Sequence, residues 1–342
     1  MDVAVIGGGI VGCSLAAFLA EGGAEVTLFE REAVAAGASG RNSGVLQHPF
    51  DEALVGLYEE SLRHYAELDG FSLPDMTGLL VVSSGPLTAE RFPELRPQLL
   101  EDAREAEPEL APGLRAVRYE TGRPVPPAAA TQAFAARARR AGARIEIAEA
   151  RPAIEDERAT GVIVDGAHRA AGQVAIAAGP WTRDLIGVPI SPLWGVVVEV
   201  ELPHPPRHTI EESGIDALTE GASGTLFSIV TAQGLSSVGS TFLTEKPEPD
   251  DWVPRILERA KRFVPALGGA KPRGLRACAR PLSSDGRPLL GGIGIENLAI
   301  ASGHGPWGVS LGPASARLVA DQLLGRDVTI PRELAASTRL PS

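Results

Sequence analysis

Apolar and polar positions along this chain switch repeatedly between a strand period and a helix period. Asp2 to Ile6 is a short, nearly continuous apolar run, the pattern of a strand buried on both faces. After Gly7-Gly8-Gly9-Ile10-Val11-Gly12 an Ala/Leu-rich stretch reads as a helix to about Glu21, and Glu25-Val26-Thr27-Leu28-Phe29 predicts a second strand that ends at Glu30. Helical periodicity returns near Ala53 to Leu68, Pro127 to Ala141, Asp251 to Phe263 and Pro313 to Leu324. Pro near the start of the last helix and Gly325 beyond its end fit the usual capping asymmetry. Gly78 to Ser83, Gln173 to Ala178 and Leu298 to Ala301 read as strands. Between roughly Leu185 and Arg273 the pattern turns strand-rich, with Leu193 to Val200, Thr225 to Val230 and Leu235 to Phe242 joined by Pro/Gly-rich links. The expectation is an α/β protein with a separate, mainly antiparallel sheet and no internal repeat.

The first forty residues also carry chemistry. Gly7, Gly9 and Gly12 form a GxGxxG pattern between a strand and a helix, the context in which the pattern binds a dinucleotide. Gly7 permits the tight turn, Gly9 admits a pyrophosphate to the backbone, and Gly12 lets the helix pack closely on the strand. Ile10 and Val11 lie within the motif, ahead of the helix whose N-terminus attracts the anion. Glu30, at the end of the second strand, is placed to accept hydrogen bonds from a ribose diol, and Arg31 follows it. This motif alone does not separate NAD from FAD.

Composition narrows the field. With 342 residues the chain is long enough for two ordinary domains or for one large domain with an insertion. Its formal charge of −11 opposes unspecific binding to nucleic acid, which rests on Lys and Arg neutralising phosphates. Cys13 and Cys278 are the two cysteines, too few for a disulfide framework, so a reducing compartment, the cytoplasm, is expected. The first apolar run is too short and too poor in basic residues for a signal peptide, and no membrane span is expected. No His/Cys/carboxylate cluster has metal-ligand spacing, so no metal is expected.

Four landmarks in order give the chain a resemblance that runs nearly end to end. They are the Gly7 to Glu30 unit, the loop Gly37-Ala38-Ser39-Gly40-Arg41-Asn42-Ser43-Gly44, the segment Val174-Ala175-Ile176-Ala177-Ala178-Gly179-Pro180-Trp181-Thr182, and a C-terminal block. That block runs from Arg280-Pro281 through Asp285-Gly286-Arg287-Pro288 to Ala301-Ser302-Gly303-His304-Gly305-Pro306-Trp307-Gly308. In these the chain resembles the D-amino-acid oxidase superfamily of flavoproteins, which includes glycine oxidase, sarcosine oxidase and D-amino-acid dehydrogenases.

The resemblance implies a Rossmann-like FAD-binding domain built from residues 1–77, 126–188 and 274–342. A mainly antiparallel β-sheet substrate domain would be inserted as residues 78–125 and 189–273. FAD would meet Gly7, Gly9, Ile10, Val11, Gly12, Glu30 and Arg31, then Ser39, Arg41, Asn42, Ser43 and Gly44, with Ser39 and Asn42 offering hydrogen bonds. Ala178, Gly179 and Trp181 would join them from the middle of the chain, and Gly303, Gly305, Gly308 and Val309 from its last part. A helix N-terminus there would stabilise negative charge on a reduced ring. Cys278 stands where some members carry the cysteine that links covalently to the flavin; a non-covalent cofactor beside a buried thiol is the other reading.

Arg280 stands where glycine oxidase and its relatives carry the arginine that binds the substrate carboxylate, although a salt bridge with Asp285 would also account for it. Trp307, His304 and His48 complete the candidate catalytic set, each histidine being equally open to an ordinary structural role. Tyr58, Tyr65 and Tyr119 lie outside the central strands of the substrate sheet, and Pro306-Trp307 replaces an arginine of the family. A more apolar pocket of Trp194, Phe227, Phe242 and Trp307, suited to a bulkier or secondary amine, follows from those departures. The implied activity is oxidation of an amine or amino acid by hydride transfer to FAD, giving an imine that hydrolyses. Oxygen or another acceptor would then reoxidise the flavin, and no lysine among Lys246, Lys261 and Lys271 points clearly to oxygen. The alternative is a flavoprotein subunit of a hetero-oligomeric dehydrogenase complex. The expected partner is a small amine or amino acid, with a homo-oligomer or partner subunit left open.

Overall fold

The computed structural model describes residues 1–88, 92–214 and 224–340. The expected substrate-domain stretches at 89–91 and 215–223, and the last two residues of the range 274–342, lie outside the described residues. In chain order the first half contains β1 (Asp2–Ile6), α1 (Ile10–Glu21), β2 (Glu25–Glu30), α2 (Glu52–Ala66), β3 (Leu79–Ser83), β4 (Gln98–Leu100), β5 (Arg115–Tyr119), α3 (Ala129–Arg140) and β6 (Arg144–Ile147). There follow β7 (Gln173–Ile176), β8 (Ile190–Val200), β9 (Thr209–Glu212), β10 (Thr225–Ala232), β11 (Leu235–Thr241), α4 (Val253–Ala260), β12 (Pro272–Ser283), β13 (Leu289–Gly292), β14 (Leu298–Ser302) and α5 (Gly308–Leu323).

Two large sheets organise these elements. The first has the order β13-β14-β7-β1-β2-β6 and is parallel except for the β13–β14 pair. Its strand order reverses around β1, where β2 lies on one side and β7 on the other, so a crevice opens at the C-terminal ends of these strands. α1 is apolar all round, with Ile10 to Ala20 buried between sheet and neighbouring helices, as expected of a helix that shows no face to water. The second sheet has the order β12-β8-β11-β10-β9-β3-β5-β4, antiparallel throughout except between β9 and β3. It encloses its own core around Val196, Val198, Phe227, Ile229 and Val238. A smaller three-stranded sheet spans Ala150–Glu155, Arg158–Val164 and Ala167–Ala170, which the sequence pattern left unassigned.

The expected boundary at residue 274 is corrected by β12. Pro272–Ser283 pairs with β8 over almost its full length, from Val200↔Pro272 to Ile190↔Ser283, and so is the edge strand of the second sheet. Cys278 and Arg280 therefore belong to that sheet and not to the nucleotide-binding one. The predicted helix from Asp251 to Phe263 is shorter: a single 3-10 turn at Pro249–Trp252 precedes α4, which ends at Ala260.

The last helix departs most from expectation. It begins at Gly308, five residues before the predicted start, and carries Pro313 inside it. A proline there removes the N–H that Val309 O would accept. Tyr65 of α2 fills the place, its hydroxyl donating to Val309 O at 2.6 Å, and Ser61 Oγ accepts from Ala314 N at 3.1 Å. Tyr65 is fully buried, so without it that carbonyl would face an apolar interior. Gly312 completes the fit, because a Cβ there would lie 3.0 Å from Ile10 Cγ2 of α1. Tyr65→Phe is expected to lower stability by about 1–3 kcal/mol, the cost of an unsatisfied buried carbonyl. Urea unfolding checks this, and the loss should shrink in a Pro313→Ala background, where residue 313 regains its own donor.

Candidate active site

The turn from β1 to α1 is a place where backbone passes over backbone. Gly7 has φ +112, and a Cβ on it would sit 2.5 Å from Ala177 O; one on Gly12 would sit 1.9 Å from Gly7 O. Neither position admits a side chain, so α1 approaches the strand as closely as the chain allows. The first turn of α1 contains no acidic residue, and Ser39 Oγ accepts from Ile10 N at 2.9 Å. The Ser39 hydroxyl proton is thereby turned outward, available to an anion at the helix N-terminus. Glu30 receives Gly8 N at 2.7 Å on one oxygen and Glu32 N at 2.9 Å on the other, which fixes the carboxylate at the rim.

From this turn a cavity of about 1130 Å3 runs to the face of the second sheet. Its walls include Gly7, Gly9, Ile10, Val11, Glu30 and Arg31 from the first segment, and Ser39, Arg41, Asn42, Ser43 and Gly44 from the loop. Ala178, Gly179 and Trp181 line it from the middle of the chain, and Cys278, Arg280, His304, Gly305, Trp307, Gly308 and Val309 from the last part. Gly12 and Gly303 are not among its lining residues; Gly12 serves the helix approach. The volume exceeds that of ordinary small-ligand pockets, which leaves room for a dinucleotide and a second small molecule together. With a glycine cradle, a fixed acid and a helix N-terminus at one end, the residues present fit FAD.

Two expected contacts are corrected. Asn42 donates to Ala38 O and Ser39 O at 3.1 and 2.9 Å and accepts from Gly44 N at 2.8 Å, so its amide shapes the loop instead of reaching for a cofactor. His48 does not line the cavity: its ring is buried against Tyr58 and Phe92, edge to face, and its backbone N–H donates to Thr121 Oγ1. Burial holds its ring below the ordinary imidazole pKa. Phe227 is corrected as well, because alternation along β10 turns it into the opposite core, where it stacks on Phe263 at 4.7 Å. Trp194, Phe242 and Trp307 do line the cavity. Trp181 carries the Arg31 guanidinium 3.9 Å above its ring, a cation–π contact at the nucleotide end.

At the other end Arg280 leans across β8 over Gly195, whose absent Cβ would lie 2.5 Å from Nη2. The guanidinium donates to Thr241 O at 3.0 Å and Ser240 Oγ at 2.5 Å, and lies 4.8 Å from the Phe242 ring centroid. The suspected partner Asp285 is engaged elsewhere, with Arg339 and with Arg287 N. Among the described residues no carboxylate pairs with Arg280, and burial lowers its pKa. Strand alternation puts Arg276, Cys278 and Arg280 on one face of β12. Arg276, which the sequence reading passed over, binds Glu199, Ser237 Oγ at 2.8 Å and Asn42 O at 3.1 Å, tying the cofactor loop to the second sheet. Gln47 and Glu211 also line the cavity and were missed, since neither stands in a recognisable motif.

Cys278 is buried and its thiol is pushed up by desolvation, against the pull of Arg280, Arg276 and Arg41. Cys13, in α1, is raised to about 12 by burial first and by Glu30 second. His304 lines the cavity yet is 2% exposed, and its Nε2 has no hydrogen-bond partner among the described residues. The N-terminus of α5 opens on the same wall through Gly308, Val309 and Ser310.

A family model described as FAD dependent oxidoreductase matches residues 2–322. Glycine oxidase of Pseudomonas aeruginosa is 28% identical over 377 residues, covering 99% of this chain and 99% of that protein. Glycine oxidase of Bacillus licheniformis is 26% identical, covering 96% and 94%. The crystal structure of glycine oxidase from Geobacillus kaustophilus superposes with a TM-score of 0.82 at 26% identity, over 100% of this chain and 99% of that one.

Desolvation lowers the His304 pKa from 6.5 to about 4, so the folded protein holds it neutral while the unfolded chain takes a proton below 6.5. The unfolded state then binds more protons between these values, and stability falls as pH drops from 6.5 to 4. His304→Asn is expected to remove this acid loss, on the order of 3 kcal/mol, from the pH dependence of urea unfolding.

Proposed function

The chain belongs to the FAD dependent oxidoreductase family, and from that premise we propose that it oxidises the C–N bond of an amino acid or N-substituted amino acid whose carboxylate is held by Arg280. The observation that carries this reading is a desolvated guanidinium on the cavity wall that pairs with no carboxylate among the described residues. A planar fork in that state is costly unless an anion supplies two parallel hydrogen bonds, which an amino-acid carboxylate does. Ser240 Oγ and Thr241 O hold the inner edge of the fork, leaving its other N–H groups for the ligand.

Bound FAD supplies the two-electron acceptor for the C–H bond next to nitrogen. Gly7, Gly9 and Ser39 would hold its pyrophosphate and Glu30 its ribose. The remaining work is orientation: Arg280 fixes the carboxylate, while Trp194, Phe242 and Trp307 exclude water and favour the uncharged amine. The N-terminus of α5 would favour negative charge that develops at its end of the cavity. The imine product, once released, hydrolyses to a carbonyl compound and ammonia, or an amine where the nitrogen is substituted. The substrate is a small molecule. No helix among the described residues is long and apolar enough to cross a membrane.

Anaerobic absorbance spectra, recorded while glycine, sarcosine, proline, D-amino acids and simple amines are added in turn, should show the flavin bands bleached by carboxylate-bearing amines. Arg280→Ala should retain flavin but need roughly ten- to hundredfold more substrate for half-maximal bleaching. An unchanged requirement would refute the role of Arg280. Return of the bands on admitting air distinguishes oxygen from another acceptor. We further propose that FAD is held without a covalent bond, because the raised thiol of Cys278 opposes the thiolate that a thioether requires. Acid precipitation should then release all flavin into the supernatant; flavin retained in the pellet would overturn this.

A further inference from the structure

Gln47 is a residue of the cavity wall that is tied to both layers of the candidate active site. Its backbone N–H is anchored on Ser310 Oγ at 3.0 Å, in the first turn of α5, and its side-chain Nε2 donates to Glu211 Oε2 of β9 at 3.3 Å. The side chain therefore crosses from the N-terminus of α5 to the second sheet, beside the gap in which a substrate would lie between flavin and sheet. The bond to Glu211 also settles which amide atom is which, since a flipped Gln47 would set its oxygen against the carboxylate. Gln47 is 3% exposed and lines the cavity, and its Oε1 has no hydrogen-bond partner among the described residues. An amide oxygen buried without a donor is destabilising, and a ligand that brings an N–H relieves it.

The other walls leave this oxygen a distinct task. Trp194, Phe242 and Trp307 line the same cavity with side chains that accept no ordinary hydrogen bond, and Arg280 has donors only. An amine whose carboxylate rests on Arg280 gains no acceptor from any of these four. Glu211, by accepting from Nε2, polarises the Gln47 amide and strengthens its oxygen as an acceptor.

We propose that Gln47 Oε1 accepts the N–H of the reacting amine, which makes Gln47 a specificity-determining residue for primary and secondary amines. This rests on the reading of Arg280 given above. As the Cα hydride leaves for the flavin, the nitrogen lone pair becomes the second bond of C=N and the nitrogen turns cationic. Its remaining N–H grows more acidic, so the bond to Gln47 strengthens along the reaction and favours the transition state over the ground state. A tertiary amine has no N–H to offer and leaves the oxygen unsatisfied.

The test uses the flavin-loaded protein and two flat ring acids, pyrrole-2-carboxylate and furan-2-carboxylate, with binding read by titration calorimetry. Both present a carboxylate, and beside it the first has an N–H where the second has an oxygen. The intact protein should bind the pyrrole acid at least about tenfold more tightly, the effect of one buried acceptor satisfied or left unpaired. This comparison needs no variant. In Gln47→Met the ratio should fall toward one, and since both acids are measured on the same variant, a general loss of folding does not imitate the change. Equal binding to the intact protein, tighter binding of the furan acid, or a ratio that Gln47→Met leaves intact overturns the inference. Arg280→Ala should weaken both acids, and if it does so the role of Arg280 survives each of those results. If the intact protein binds neither acid, both readings fall together.

Discussion

Where β1 turns into α1 the backbone crosses itself with no room for a methyl group, and much of the molecule is arranged to permit that crossing. A Cβ at Gly12 would stand 1.9 Å from Gly7 O. The helix can come so near only because α1 is built of small and aliphatic residues that bury on every side. Helices α3 and α5 pack against it, and Gly312 of α5 gives way to Ile10 at the contact. The close approach leaves the N-terminus of α1 facing the crevice between β2 and β7, where strand order reverses. One steric constraint therefore positions the anion site, the crevice and the helix layer at once.

The second sheet meets that crevice through β12. Its alternation turns Arg276, Cys278 and Arg280 toward the cavity, and each is used differently. Arg276 is consumed by protein groups and joins the cofactor loop to the sheet. Cys278 stays a protonated thiol through burial. Arg280, unlike Arg276, is paired with no acid of the described chain. The same strand thus carries a fastener, a neutral spacer and a ligand-binding group, set apart by what lies opposite each one.

The sequence made the β1–α1–β2 unit legible because its signals are local: a strand period, three glycines at fixed spacing and a terminal acid all fall within thirty residues. β1 begins and ends where the pattern put it, and α1 ends at Glu21 as expected but starts at Ile10, inside the glycine motif instead of after it. The start of α5 was misread for an equally physical reason. Proline ordinarily marks a helix start, but here Tyr65 and Ser61, some 250 residues earlier, supply what Pro313 lacks. No window of sequence contains that exchange. Phe227 looked like a pocket residue by composition, yet the face of β10 on which it lies is decided by the sheet beneath it. His48 drew attention as a titratable group, whereas its neighbour Gln47 is the one that reaches the cavity wall. Asn42 offered the right atoms and spends them on its own loop.

The order of strands in the first sheet has a temporal side. β1 and β2, which precede the other strands in the chain, take their neighbour β7 from its middle, and β7 takes β14 from near residue 300. α1 likewise waits for α5 to cover it. The glycine turn is thus translated early and enclosed late, so most of the chain, the entire second sheet included, must emerge before the nucleotide crevice has its walls. Until that happens the Ala/Leu helix, which the finished fold buries on every side, has an apolar surface without its cover.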